Sequence, residues 1–359
     1  MAKILLKNGK IFDGERFLSG SVLAEDNKIV AIGEFDAEID AQTTVIDAKD
    51  CIVCPGLVDV HTHLSELSGE PFGFPGALAT IPFGVTAAVD ASASPKNAAR
   101  IGELPCKAAA LLSLPLSEGR IDFDALDRGF AAYGDLAIGV KIYYDVAQSE
   151  LCTLSQIQEA SAFAHEKGGI VMVHCAGSPA TMREVVAALG KGDILTHAYH
   201  GAPNSMMDAD FAAYHLAKEK GVWIDAGMAG GVHTNYEVLK AAFERGYFPD
   251  VISTDITQFS AYKRGGIYGL PMCMSLCRAH GMAEADIFRA VTFSAAKAVL
   301  RGNAWGSLQV GGAADIAVLS YGKQKINIAD RAGNRVALDE GYTCCMTVAD
   351  GQILYRNQI

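Results

Sequence analysis

From residue 56 to residue 305 the chain alternates short apolar runs with longer stretches of helical character, and this rhythm narrows its fold more than any other feature. The runs fall at 57–60, 85–89, 108–112, 138–142, 170–173, 194–196, 222–224 and 251–253. Eight such runs joined by α crossovers predict an α/β chain whose parallel strands close into a (β/α)8, or TIM, barrel, for which about 250 residues is the usual length. Helix signals support the crossovers. Thr153 and Gln156 form a capping-box pattern that opens one helix and Gly168 closes it, while Asp208 opens another that ends near Gly221. An open doubly wound sheet is the structural alternative. It would normally carry a glycine-rich phosphate turn after its first strand, and the sequence has none there.

Both chain ends read as β structure. Residues 4–6, Asn8-Gly9 and residues 11–12 look like strand, turn and strand, followed by short strands at 21–23 and 29–32. At the far end come an apolar strand at 314–319 and a hairpin centred on Asp350-Gly351. Residues 1–55 and 306–359 are therefore expected to form one small β-sandwich domain beside the barrel of residues 56–305.

Composition removes several function classes. A net charge of −11 disfavours nucleic acid and anionic membrane surfaces as partners. No run of about 18 uncharged apolar residues offers a membrane span, and the opening MAKILLKNGKIFDG alternates like a strand rather than a signal peptide, so a cytoplasmic location is expected. Nine cysteines, an odd number in a long chain, argue against a disulfide framework. Cys51 and Cys54 lack the second pair or thioredoxin-like context that a zinc or redox site would want, and Cys344 and Cys345 would face opposite sides of a strand. A small-molecule substrate is the expected partner, and association into a homo-oligomer stays open.

The chemistry-bearing residues fall at strand ends. His61 and His63 follow the first barrel run, where residues i and i+2 point the same way. Lys141 lies near the end of the fourth, His174 ends the fifth, His197 ends the sixth and Asp255 follows the eighth. Each has a duller explanation when taken alone: polar strand residues, a salt-bridged lysine, a hydrogen-bonded histidine, a helix N-cap. Together they converge on the end of the barrel that forms the reactive face, and imidazole with carboxylate suits zinc and similar divalent ions.

The run from Pro55 to Leu64, PGLVDVHTHL, resembles the signature of the amidohydrolase superfamily, as do GVK ending at Lys141, VMVH ending at His174, LTH ending at His197 and ISTD ending at Asp255. The resemblance extends over nearly the whole chain and is nearest to dihydroorotase-like enzymes, in particular to a deacetylase and deacylase subgroup. It implies two divalent metal ions, with zinc the expected ion, bridged by a carboxylated Lys141. His61, His63 and Asp255 would hold the more buried ion, and His174 and His197 the more exposed one. It also implies that a metal-bridging hydroxide attacks an amide or ester carbonyl, with Asp255 as the catalytic proton shuttle.

The pattern departs from dihydroorotases at Ser65, where an Arg that holds the substrate carboxylate is common. Cyclic pyrimidine hydrolysis is correspondingly less expected, and Arg120, Arg183 and Lys263 are the cations that could stand in. His200, on the loop after the sixth strand, His233, in the glycine-rich loop after the seventh, and Tyr143 are candidate substrate contacts. A one-metal deaminase of the same superfamily and a catalytically inactive binding relative are the competing readings. The first would lack the lysine and carry a Glu near the histidines, and the second would have lost ligands.

Overall fold

The computed structural model describes residues 3–37, 39–148, 150–263, 269–302, 304–357 and 359. Seven parallel strands lie side by side in chain order: Leu57–Thr62, Val85–Ala93, Lys107–Ser113, Ala137–Tyr143, Ile170–His174, Ile194–Thr196 and Trp223–Ile224. They are buried along nearly their whole length, as strands covered by helices must be.

The eighth run does not form an extended strand. It closes the ring through two single bridges, Val251 with Asp225 of the seventh position and Ile256 with Thr62 of the first. Backbone bonds such as Ala226 N to Val251 O at 3.0 Å and His63 N to Ile256 O at 3.1 Å hold this segment on both sides, and side-chain bonds reinforce it. The buried Asp59 carboxylate accepts from Thr254 N at 3.1 Å and Thr254 Oγ1 at 2.6 Å, and Asp255 N donates to His61 O at 2.7 Å. The extended run ends because Asp255 turns to φ +48°, which a strand cannot continue.

Most helix signals act as expected. Thr153 and Gln156 make both bonds of a capping box on Leu154–Glu166, and Gly168 follows at φ +74°. The helix expected from Asp208 starts only at Ala212, because Ala209, Asp210 and Phe211 all take left-handed φ; it stops at Gly221, also left-handed. Among the described residues no helix is long and apolar enough to cross a membrane, and the cysteines are free thiols.

The chain ends share a second, separate sheet of eight strands. Along its path run Gln352–Arg356, Arg335–Ala349, Ile316–Ala329, Cys51–Pro55, Lys3–Phe12, Phe17–Glu25 and Lys28–Gly33, with Thr43–Asp47 also pairing to Lys3–Phe12. The seam joins the ends directly: Val53 lies opposite Val318 on one side and Ile11 on the other. Asp350-Gly351 is the expected hairpin turn, both residues at positive φ. Asn8-Gly9 is not. Asn8, at φ +63°, makes a bulge inside one continuous strand, since the pairing with Phe17–Glu25 resumes beyond it.

Period-two alternation divides this sheet's side chains between two cores. Cys51, Val53, Ile316, Val318 and Cys345 pack with Ile4, Leu6 and Val22. Ile52, Cys54, Ala317, Leu319 and Cys344 join the larger core that the barrel helices share. The tip of the long hairpin also meets the barrel. Arg331 N donates to Gly231 O at 3.0 Å, and the Asp330 carboxylate accepts from Tyr236 N at 2.9 Å.

We infer that residues 1–55 and 306–359 fold as one unit against the barrel of 56–305. Ending the chain before Gly341 should therefore open the Lys3–Phe12 amides to hydrogen exchange together with those of Ile316–Ala329; protection retained in Lys3–Phe12 would contradict it. Separately, Asp59→Ala leaves Thr254 N and Oγ1 buried without an acceptor, at a cost of about 1–3 kcal/mol for each such group. The variant should unfold several degrees below the parent in a thermal melt, and an unchanged midpoint would mean that the barrel closes without this bond.

Candidate metal centre

The six side chains singled out by their strand-end positions come together inside the barrel mouth, all buried. The His61 and His63 rings lie 5.4 Å apart, centroid to centroid. A hydrogen-bond chain sets the tautomer of His61. The Thr196 hydroxyl donates to Asp225 at 2.7 Å, so its oxygen is left to accept from His61 Nδ1 at 2.9 Å. His61 Nε2 then presents a lone pair inward. His63 is held in the same manner: Nδ1 lies 2.9 Å from Ser92 Oγ, which belongs to a cluster with Ser68 and the buried Asp90.

Asp255 stands at the meeting point. Its Oδ1 lies 3.2 Å from His61 Nε2 and 3.0 Å from His63 Nε2, and its Oδ2 lies 3.8 Å from His197 Nε2 and 3.9 Å from His233 Nε2. Burial opposes its charge, but His61 and His63 outweigh burial and hold the carboxyl well below the usual range. Lys141 Nζ lies 2.8 Å from His61 Nε2 and is fully buried. Burial brings its ammonium down to about 8, against the pull of Asp255 and Asp225.

The other histidines complete the far side. His174 Nε2 lies 3.0 Å from Ala176 O and must donate to it, which leaves Nδ1 free. His197 Nδ1 donates to Gly227 O at 2.6 Å, and its Nε2 is buried without a partner. His233 packs on both, with ring centroids 4.3 Å from His197 and 4.8 Å from His174. Burial keeps His61 and His197 well below the ordinary histidine value, moves His200 to about 4 and His233 to about 3. These imidazoles are therefore neutral near pH 7.

This donor set fits a divalent cation. The His197 Nε2 lone pair, buried without a partner, lies 3.8 Å from the Asp255 carboxylate, and among the described residues the only side-chain donor beside His61 Nε2 is Lys141 Nζ; a divalent cation would satisfy both nitrogens and the carboxylate together. Donor atoms of His61, His197 and Asp255 lie within 4.8 Å of one another, and so do those of His174, His197 and His233. His233 thus stands among metal-competent groups, where position in the sequence pointed to substrate contact or a lid.

Two cavities meet at Val232 and His233 beside the centre. The inner one, about 260 Å³, is walled by Phe72, Tyr143, Val232 and Phe259 with His63, His174 and His233. Tyr143 Oη lies 3.4 Å from His63 Nε2, and burial pushes its hydroxyl above the ordinary value, so it stays a phenol. Tyr144 packs into the core instead. The outer cavity, about 620 Å³, shares Val232 and His233 with the inner one and adds His200, Asp145 and Arg331.

Several groups here escaped the sequence reading. Asp225, pushed to about 6 by burial, sits one residue past the seventh strand and obeys the strand-end rule that found the others. Thr196 and Ser92 carry no signal of their own. Arg331 comes from the other sheet, whereas Arg120 and Arg183 are exposed and line neither cavity. The Lys263 side chain lies outside the described residues.

The Amidohydrolase family profile matches residues 52–354. A deacetylase of Agrobacterium fabrum is 26% identical over 93% of this chain and 87% of its own length. A deacetylase of Enterococcus faecalis is 24% identical over 98% of both chains. A crystal structure of a dihydroorotase superposes with a TM-score of 0.86 at 24% identity, over 99% of this chain and 98% of that one. A crystal structure of an adenine deaminase gives 0.86 at 22%, over 99% and 100%. The two solved structures share the whole architecture, barrel and added sheet alike, and the profile spans every side chain of the centre: the chain belongs to the amidohydrolase family.

Proposed function

We propose that this enzyme, a metal-dependent amide hydrolase by its family, removes a short acyl group from a small amide, and that Lys141 is carboxylated and bridges two zinc ions. His61, His63 and Asp255 would hold one ion, and His174 and His197 the other. The observation that carries the reading is the inward set of imidazole nitrogens around Asp255 and Lys141. The full-length relatives named deacetylase favour acyl removal, and Ser65, which offers no cation beside His63, favours it over hydrolysis of a cyclic pyrimidine. Bound there, divalent ions supply an acidified water and polarise the scissile carbonyl.

The chain's own groups do the rest. Asp255, held ionised, takes the proton from the attacking water and passes it to the departing nitrogen. Tyr143 offers an O–H donor at the inner cavity, and neutral His200 and His233 offer donor or acceptor nitrogens to the substrate at the outer one. Phe72 and Phe259 wall the inner cavity with apolar surface, and its about 260 Å³ suits a short acyl group. Partial loss of the Lys141 proton, brought about by burial, makes available the free amine that carboxylation by CO2 requires.

Asp255→Asn keeps an oxygen for a metal but cannot carry a proton. Turnover should fall by about 10²–10⁴-fold while metal content measured by elemental analysis stays near that of the parent. Near-parental kcat would remove Asp255 from the proton path. Lys141→Ala should lose most of its metal and nearly all activity. Added propionate should restore part of both by filling the bridge, whereas Lys141→Arg should restore neither, because guanidinium stays protonated and cannot be carboxylated. Full metal content and activity in Lys141→Ala would rule out the bridge and favour the one-metal deaminase reading.

A further inference from the structure

The outer cavity contains a cation that the proposed chemistry leaves unused. Arg331 is the one Lys or Arg among the described residues lining either cavity. It belongs to neither the barrel nor its loops but to the tip of the hairpin made by Ile316–Ala329 and Arg335–Ala349. The tip is fixed. Asp330 is buried, and its carboxylate accepts from Asn334 N and Nδ2 within the turn, each at 2.9 Å, and from Tyr236 N of the barrel at 2.9 Å. Arg331 N donates to Gly231 O. Gly231 has to be glycine, because a Cβ there would meet Ala329 O at 2.7 Å. One contact therefore sets the position of both Arg331 and the loop that carries His233.

The Arg331 side chain is exposed and has no ion-pair partner among the described residues. The other charged group of the cavity, Asp145, is already engaged: it lies 3.3 Å from His174 Nε2 and accepts from Ala147 N at 2.8 Å. An unpaired guanidinium lining a cavity that shares Val232 and His233 with the one at the centre is a fork for a carboxylate.

We propose that Arg331 binds the carboxylate of the substrate, so that the substrates are amides carrying an acid on the amine side, the N-acyl amino acids being the simplest. The acyl group enters the inner cavity, and the amino-acid portion extends past His233 to Arg331. The substrate class rests on the amide-hydrolase reading, whereas carboxylate binding by Arg331 does not.

The test measures binding and turnover separately. A panel of N-acetyl amino acids and their carboxamides is titrated by calorimetry into metal-loaded Asp255→Asn enzyme, with and without Arg331→Gln, Arg331→Lys or, as a charge control on the same hairpin, Lys323→Gln. Acids should bind more tightly than their carboxamides, and Arg331→Gln should weaken the acids by about tenfold to a hundredfold, the range for a lost charge-assisted bond. Arg331→Lys should keep part of the preference and Lys323→Gln all of it. Equal binding of acid and carboxamide, an acid preference untouched by Arg331→Gln, or no binding across the panel would overturn the proposal. Turnover of the same panel by the parent enzyme tests the hydrolase reading by itself. Acids that bind through Arg331 without being cleaved would refute that reading alone, and carboxamides cleaved as well as acids would refute the role of Arg331 alone.

Discussion

The centre depends on how the barrel closes between its first strand and residues 251–256. A regular eighth strand would carry Asp255 past the mouth. Two single bridges, scattered backbone bonds and the Asp59–Thr254 bonds close the ring instead, and the chain turns at Asp255, placing its carboxylate beside His61 and His63. His197, on the opposite side, also sits at positive φ, +62°. Non-glycine residues in that region cost about 1–3 kcal/mol each. The bonds from Asp255 N to His61 O and from His197 Nδ1 to Gly227 O hold the two in place. Two groups assigned to the metals thus carry backbone strain of this kind.

Burial then governs protonation around this closure. It keeps His61 and His197 neutral and brings Lys141 toward neutrality, and the Asp255 carboxyl stays below its usual range. A protonated lysine beside two dications would be strongly repelled. Under the proposed function the carbamate resolves this by turning the one cation of the centre into an anion with two oxygens. Relays of hydroxyl and carboxylate behind His61 and His63 fix which nitrogen faces inward, the outer-layer control that metal histidines generally need.

Much of the fold was legible because it rests on local periodicity. Short apolar runs and capping residues located seven strands and the helix Leu154–Glu166 to within a few residues. The signals that misled did so for a shared reason: a left-handed residue has several uses. Asn8 makes a bulge where a turn was expected, Ala209 to Phe211 delay a helix, and Asp255 ends a strand. The six candidate ligands were legible because strand ends meet at one face whatever the loops do. Asp225 obeyed the same rule and was passed over. Thr196, Ser92 and the place of His233 beside His174 and His197 depend on packing across strands, which no single stretch of sequence encodes. Arg331 was the least visible, since it arrives from a hairpin about a hundred residues beyond the loop it touches.

The central claim is that Lys141 carries a carbamate shared by two metals. Carbon-13 NMR of enzyme rebuilt from the metal-free protein with zinc and carbon-13 bicarbonate tests it most directly. The account predicts a carbamate resonance that grows with metal occupancy to one per chain and is missing from Lys141→Ala. Fully active enzyme with two metals per chain and no such resonance would contradict it.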